Sequence, residues 1–324
     1  MKQITSKRHF LNFYLSIIFT VLLTGGFGIF FLLDFIETYQ SRALKSKEQL
    51  LPFFIFWLLF LAVYTIPRIY KNVPSIALDT EKITFKSFGQ VETYFFKDLV
   101  AMELTGKKPF PYLYDFPMEG AQLTFKTGKV KYIFDGMYSN ASLIKLYLQE
   151  AVLGEKVNPD TLLNQDSSIL EDENFTYFKG NQFTSLSGIL LWVPIIVFAS
   201  IPLRNLTAPS EAFLIPLAFM LFWFLPFSWM MHYFGLSDNH LIIRNHTRPW
   251  VNRRYYLPNI REVVFEQEGK RPYSLRVITQ DFKSKLYPAG TLRVKHWLSL
   301  KSELEKNNIP VRNECVPDDA YPLL

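Results

Sequence analysis

The sequence predicts membrane α-helical hairpins joined to α+β soluble domains, and it predicts this arrangement twice along the chain. Two pairs of charge-free hydrophobic runs occur, and each pair precedes a stretch in which apolar and polar residues alternate as they do in a strand. Residues 77–86 (ALDTEKITFK) align without a gap with residues 235–244 (GLSDNHLIIR), at an offset of 158 residues. These observations indicate two hairpins, each followed by a small domain.

Four hydrophobic runs are long enough to cross a membrane. The charge-free stretches are residues 10–33, 50–67, 180–203 and 212–231. The hydrocarbon core of a bilayer needs about 20 apolar residues in a helix, and backbone polar groups in lipid must bond within their own segment. The connections within each pair are short, so the two members of a pair are antiparallel neighbours. The predicted spans are residues 10–33, 50–70, 180–203 and 212–234.

The predicted organisation has six parts. They are a first transmembrane hairpin (1–72), a first soluble domain (73–154), an acidic linker (155–179), a second transmembrane hairpin (180–234), a second soluble domain (235–310) and a C-terminal tail (311–324).

Basic residues predict which side of the membrane the soluble domains occupy. Five lie in the N-terminal segment and just after the second span, against four in the two opposite loops. The positive-inside rule then predicts a multi-pass protein of the cell (inner) membrane, with the N-terminus and both soluble domains in the cytoplasm. No acidic or basic residue lies deep in any run. Transport paths and proton relays usually need such residues, so the helices favour an anchoring role.

The first soluble domain is predicted to be mainly β with a closing helix. Residues 82–86 alternate in polarity, and residues 91–100 are rich in β-branched and aromatic residues. Residues 123–125 and 130–134 predict a hairpin, and Ser139 is a candidate helix cap. We interpret Lys107-Lys108 as a solvated turn, with a partner-binding loop as the alternative.

The second soluble domain repeats this order. Residues 241–244 form the first predicted strand, and residues 255–260 align with residues 94–99 at an offset of 161, so the intervening loop is three residues longer. Residues 274–279 and 282–286 predict the later strands. The closing helix has one apolar face, formed by Trp297, Leu300 and Leu304.

These residues carry a resemblance to a known family. The first-strand pattern at residues 236–244 (LSDNHLIIR), the step at residues 257–263 (LPNIREV) and the closing helix resemble the bacterial pleckstrin-homology-like, membrane-flanked domain family. In the first copy Thr80 and Lys97 replace Asp238 and Pro258. The resemblance implies two PH-like β-barrel or sandwich domains, each closed by a C-terminal helix. It also implies a non-enzymatic binding or assembly module, with no catalytic residues to transfer.

Composition limits the chemistry that the chain can perform. The 324 residues include one cysteine, which excludes an internal disulfide and a metal site of paired cysteines. The five histidines show no HExxH or similar spacing. The sequence therefore predicts no enzyme, no catalytic residue, no metal and no cofactor. The net charge of +6 points to anionic lipid, and a single basic hairpin on a tethered domain is a poor match to nucleic acid.

One loop distinguishes the two copies. Residues 71–150 carry a net charge of +1, whereas residues 235–310 carry +7. Arginine presents donors that match phosphate oxygens, and tryptophan favours the headgroup region. We therefore predict a lipid-headgroup site, with a solvated basic turn as the alternative. The predicted site residues are Arg244, Arg248, Trp250, Arg253 and Arg254.

Three functions are considered. The preferred one is a non-enzymatic membrane protein that displays two cytoplasmic domains to bind anionic phospholipids, an unidentified protein partner or a second copy of itself. The alternative is a subunit or accessory component of a transporter or channel, in which the helices would carry the function. An enzyme has no supporting group of residues and would need a pocket of converging titratable groups.

Overall fold

The computed structural model describes residues 4–41, 48–111, 115–154, 173–204 and 214–317. The chain divides into two compact units, Met1–Lys156 and Val157–Leu324. Most of the predicted acidic linker, residues 155–172, and the end of the predicted tail, residues 318–324, lie outside the described residues.

The described residues of the first unit form three α-helices and eight strands. A π-helical turn, Phe10–Leu15, leads directly into the first helix. The helices are α1 (Ser16–Ser41), α2 (Leu51–Asn72) and α3 (Ala141–Leu153). The strands are β1 (Ile4–Thr5), β2 (Ser75–Leu78), β3 (Lys82–Ser87), β4 (Gln90–Phe95), β5 (Leu99–Glu103), β6 (Lys107–Pro111), β7 (Asp115–Phe125) and β8 (Val130–Phe134).

The second unit also contains three α-helices and eight strands among its described residues. The helices are α4 (Leu186–Arg204), α5 (Leu214–Trp229) and α6 (Val294–Lys306). The strands are β9 (Thr176–Phe178), β10 (His232–Leu236), β11 (His240–Asn245), β12 (Asn252–Tyr256), β13 (Ile260–Glu266), β14 (Ser274–Thr279), β15 (Ser284–Pro288) and β16 (Val311–Asn313).

Each unit has two sheets with matching strand order. One sheet runs β1-β2-β3-β4 in the first unit and β9-β10-β11-β12 in the second. The other is built on β5, β7 and β8 in the first unit, with β6 added, and on β13, β14 and β15 in the second, with β16 added. All pairs are antiparallel except β13–β16. The prediction of apolar helices combined with β domains is confirmed at this level.

The strand registers also match between the units. Leu78 lies opposite Ile83, and Leu236 lies opposite Leu241, at the offset of 158 residues. In each unit a 3-10 turn follows the last strand of the first sheet, at Phe96–Asp98 after β4 and at Leu257–Asn259 after β12. The next strand has a bulge at the same place in both units, directly after Leu99 and directly after Ile260.

Each helical hairpin is inserted between the first two strands of its sheet. β1 pairs with β2 although α1 and α2 separate them, and β9 pairs with β10 across α4 and α5. The N-terminal segment is fixed to its domain by hydrogen bonds of Ser6 with Ile76 at 2.7 Å in both directions. Arg8 donates from Nε to the Val73 carbonyl at 3.1 Å. Both ends of each hairpin therefore meet the β-domain of the same unit.

Among the described residues, two helices are long and apolar enough to cross a membrane. They are Phe10–Ser41, which combines the π-helical turn with α1, and Leu51–Asn72. Their large apolar side chains lie on the surface, with Leu22 68% exposed and Phe53 73% exposed. A helix in the core of a soluble protein would bury these groups, because each buried side chain contributes about 1.5–3 kcal/mol. Two further apolar segments, Leu186–Ser200 and Leu214–Trp229, are shorter.

Several of the predicted span boundaries differ from the helix bounds of the structure, and α1 continues to Ser41 rather than ending at residue 33. The third predicted span corresponds to α4, which begins at Leu186 rather than at residue 180, because the Asn181 side chain accepts the backbone N–H of Phe183 and holds a turn. The fourth predicted span corresponds to α5, which ends at Trp229, and His232–Leu236 is a strand. This strand has apolar residues because it packs in the core of the β-domain, where Phe234 is fully buried. Hydropathy alone does not separate burial in protein from burial in lipid.

Two more segments differ from prediction. Lys107-Lys108, interpreted as a solvated turn, belongs to strand β6, and Lys108 is buried in an ion pair with Glu103. The start of the predicted tail forms β16, which pairs with β13. The second core is centred on Trp297, whose ring makes edge contacts with Phe234 and Phe265 at 5.6 Å and 4.9 Å between centroids.

Candidate functional site

The basic hairpin between β11 and β12 is held by one asparagine. The Oδ1 atom of Asn245 accepts the backbone N–H of Thr247 at 2.9 Å and that of Arg248 at 3.0 Å. Its Nδ2 atom donates to the Ser228 carbonyl at 2.9 Å. Asn245 is buried. Because Ser228 lies in the last turn of α5, this side chain fixes the hairpin to the end of an apolar helix.

Arg248 strengthens the same attachment. Its Nε donates to Ser228 Oγ at 2.9 Å, and its Nη2 donates to the Leu225 carbonyl at 2.5 Å. The last carbonyls of a helix lack partners within the helix and carry partial negative charge. Arg248 therefore caps α5, and its guanidinium is already hydrogen-bonded before any ligand arrives.

Arg244 lies on the outer face of the sheet. Its guanidinium carbon is 5.8 Å from the centroid of the Tyr177 ring. With Tyr233, His246 and Asn252 it lines a cavity of about 460 Å³. Burial, assisted by the charge of Lys179, lowers the pKa of His246. His246 Nε2 is buried and has no hydrogen-bond partner among the described residues.

The other three predicted residues are exposed. Trp250, at the tip of the hairpin, is 74% exposed. Arg253 and Arg254 are also exposed, and they lie on opposite faces because successive residues of a strand alternate. Arg253 lies opposite Ile243 of the core, whereas Arg254 lies opposite Ile242. The structure therefore places Arg244 and Arg248 against the protein and leaves Trp250, Arg253 and Arg254 open to a ligand.

Arg253 lies on β12, which is beside strand β15, and this proximity was not predicted from the sequence. Lys285 lies on β15, opposite core residue Val277 of the other sheet. Burial lowers the pKa of Lys285, and the positive charge of Arg253 lowers it further. Lys285 Nζ is 5.8 Å from the centroid of the Tyr287 ring. We call the gap between the facing edges of β12 and β15 the basic crease.

Two tyrosines and a histidine form the floor of the basic crease. The hydroxyls of Tyr255 and Tyr287 are hydrogen-bonded at 2.6 Å. Burial raises the pKa of Tyr287 well above its usual range. His232 packs edge-on against Tyr287, with 5.4 Å between ring centroids, and its Nδ1 donates to the Pro288 carbonyl at 2.9 Å. Burial, assisted by the charges of Arg248 and Lys285, lowers the pKa of His232 to about 4.

A cleft lies where α4 and α5 meet the β-domain of the second unit. Its volume is about 460 Å³. Leu186, Leu190 and Phe227 of the helices form an apolar wall, and Lys270 with Arg271 lies on the domain side. Arg271 Nη1 donates to Glu268 at 2.8 Å. The cleft is amphiphilic, with its apolar side toward the helices.

The described residues contain no group of three or more His, Cys, Asp or Glu side chains that could hold a metal ion. No family model matches the chain, and no curated protein matches it.

Proposed function

We propose that the chain is a non-enzymatic membrane protein that displays two PH-like domains on the cytoplasmic side. In this proposal both helical hairpins span the membrane, and the β11–β12 hairpin of the second domain contacts anionic phospholipid headgroups. The domains would bind lipid, a protein partner or a second copy of the chain. The matching strand order and registers of the two units support a shared domain plan.

One observation carries the lipid proposal. Asn245 and Arg248 bond the hairpin to the last turn of α5, and Trp250, Arg253 and Arg254 remain exposed. If α5 crosses the bilayer, its end lies at the headgroup level, and these three side chains are held there. Each basic residue near an anionic surface contributes about 1 kcal/mol.

The insertion of each helical hairpin supports the same arrangement. Because β1 pairs with β2 and β9 pairs with β10, each hairpin leaves and re-enters its own β-domain. A domain fixed at both ends of a spanning hairpin has little freedom to move away from the membrane. The exposed apolar surface of α1 and α2 supports spanning for the first hairpin.

Quenching of Trp250 fluorescence by brominated lipid tests the proposal. The full-length protein is placed in nanodiscs of phosphatidylcholine that contain brominated phosphatidylglycerol or, in parallel, brominated phosphatidylcholine at the same mole fraction. The signal of Trp250 is the difference between the wild type and Trp250→Phe. We expect stronger quenching by phosphatidylglycerol, because the arginines attract the anionic headgroup.

Arg254→Gln should weaken this preference, whereas Lys295→Gln, which removes an exposed charge on α6, should leave it unchanged. Equal quenching of the Trp250 signal by the two brominated lipids would contradict headgroup binding at this hairpin.

A further inference from the structure

The first unit has a carboxylate at the position that Arg253 occupies in the second unit. Glu92 lies opposite Phe85 on β3, and Arg253 lies opposite Ile243 on β11, which is the same register position at the 158-residue offset. Tyr94 and Tyr255 are equivalent by the same pairing. The two units therefore have the same architecture at this site and opposite charges at one position, where Glu92 corresponds to Arg253.

Glu92 supplies a negative charge between β4 and β8, the strands of the first unit that are equivalent to β12 and β15. Its carboxylate accepts from Lys131 Nζ at 3.0 Å, from Lys129 Nζ at 3.2 Å and from the Tyr94 hydroxyl. The hydrogen bond from Tyr94 and that from Lys131 lower the pKa of Glu92 to about 2. The carboxylate is thus ionised at neutral pH and supplies the anion that the two lysines need.

The second unit keeps the cation and loses the anion. Lys131 lies opposite Leu123 and Lys285 lies opposite Val277, which are again equivalent positions. Within the described ranges no carboxylate forms an ion pair with Arg253 or Lys285. The equivalent of Lys129 is Lys283, which pairs with Asp281 at 2.7 Å. An anion that binds between two exposed cations forms charge-assisted hydrogen bonds with both.

We propose that the basic crease binds one phosphate group from outside the chain, in the position that the Glu92 carboxylate occupies in the first unit. This proposal deepens the proposed function and rests on it for the membrane source of the ligand. Arg253 offers a planar fork of donors that matches two phosphate oxygens, and Lys285 offers a second charge. The crease adjoins His232, three residues beyond the end of α5, so a phospholipid headgroup is one source of the phosphate if α5 spans the membrane, and free phosphate is the other.

A charge exchange within the chain tests the proposal. Arg253→Glu places a carboxylate beside Lys285, as Glu92 lies beside Lys131 in the first unit. We expect the variant to fold, because the first unit folds with the same pair of charges. Lys295→Glu makes the same change in charge at an exposed position on α6, outside the crease and the β11–β12 hairpin. Binding of inorganic phosphate to the full-length protein in neutral detergent micelles is measured by isothermal titration calorimetry.

We expect Arg253→Glu to weaken phosphate binding by at least about tenfold, since charge-assisted hydrogen bonds contribute about 1.5–3 kcal/mol each. Lys285→Gln should weaken it in the same direction, and Lys295→Glu should change it by less than about twofold, as expected for an exposed charge. Glu92→Arg in the Arg253→Glu background should restore one phosphate site, now in the first unit.

Native mass spectrometry distinguishes the two sources. If the ligand is a headgroup, the wild type and Lys295→Glu retain one more molecule of phosphatidic acid than Arg253→Glu does. If the ligand is free phosphate, the three proteins retain equal numbers while phosphate binding still differs. Either pattern supports the crease.

Two results would overturn the crease. One is the absence of both phosphate and phosphatidic acid binding in the wild type. The other is an equal loss with Arg253→Glu and Lys295→Glu, which would indicate diffuse charge attraction. If either result occurs and Trp250 still prefers phosphatidylglycerol, the proposal of a phosphate site in the crease is wrong and the proposed function is retained. If Trp250 shows no such preference and Arg253→Glu alone abolishes phosphate binding, the proposed function is wrong and the phosphate site is retained.

Discussion

Acidification should destabilise the second domain through the buried His232. The histidine is neutral in the folded state at neutral pH, because burial and the positive charges of Arg248 and Lys285 lower its pKa by more than the hydrogen bond to the Pro288 carbonyl raises it. Its pKa is lowered from 6.5 to about 4. The unfolded chain therefore takes up a proton as the pH falls through 6.5, whereas the folded domain takes it up only near pH 4.

The sign and size of the effect follow from proton linkage. His232 contributes its full stability above pH 6.5, and this stability is lost as the pH falls from 6.5 to about 4. One pKa unit corresponds to about 1.36 kcal/mol, so the total loss is about 3 kcal/mol. The residue is 3% exposed, so solvent screening reduces the effect only slightly.

The single thiol provides the assay. Cys315 packs against the core of the second unit, so its reaction with a dipyridyl disulfide, which still attacks thiols at acidic pH, reports unfolding of that domain. The urea midpoint of Cys315 labelling is compared at neutral pH and at pH 4.5 for the wild type and His232→Gln. Glutamine keeps a donor for Pro288 and takes up no proton.

We expect the midpoint of the wild type to fall more steeply with acid than that of His232→Gln. Every other titratable group is the same in both proteins, so its contribution cancels when their midpoints are compared. Identical pH dependence of the two midpoints would refute the assignment to His232.

Three further perturbations have defined outcomes. Glu92→Gln should destabilise the first domain by about 1 kcal/mol, because a carboxylate that is 34% exposed is partly screened, and it should remove the stability loss between about pH 4.5 and pH 2 in urea unfolding. A wild-type acid profile in this variant would argue against the ion pair. Lys145→Met should cost about 3–5 kcal/mol, because it leaves the Asp135 carboxylate buried without its partner at 2.5 Å. Adding Asp135→Asn should recover most of that loss in thermal unfolding, and no recovery would contradict a charge effect. Trp297→Ala should destabilise the second domain by about 3–5 kcal/mol in the Cys315 assay, since the ring is fully buried, and a change below about 1 kcal/mol would contradict its central place in the core.

Sequence patterns predicted the elements whose signal is local. The alternation in residues 82–86 and 241–244 corresponds to β3 and β11, and the apolar face of the closing helix corresponds to α6. β1 and β9 were not predicted, because strands of two or three residues are too short to show a period. Residues 232–234, which begin β10, are predicted as the end of a membrane span because an apolar strand in a core and the end of a spanning helix have the same hydropathy.

The candidate site divides in the same way. By itself the sequence determined that basic and aromatic residues gather in the second hairpin, because composition is a property of the chain. Only the tertiary structure decided that Arg248 caps α5, that Arg253 and Arg254 lie on opposite faces, and that Lys285 joins Arg253 across two sheets. The physical reason is that the function of a charge depends on its neighbours in space. Those neighbours come from strands 32 residues apart in the sequence.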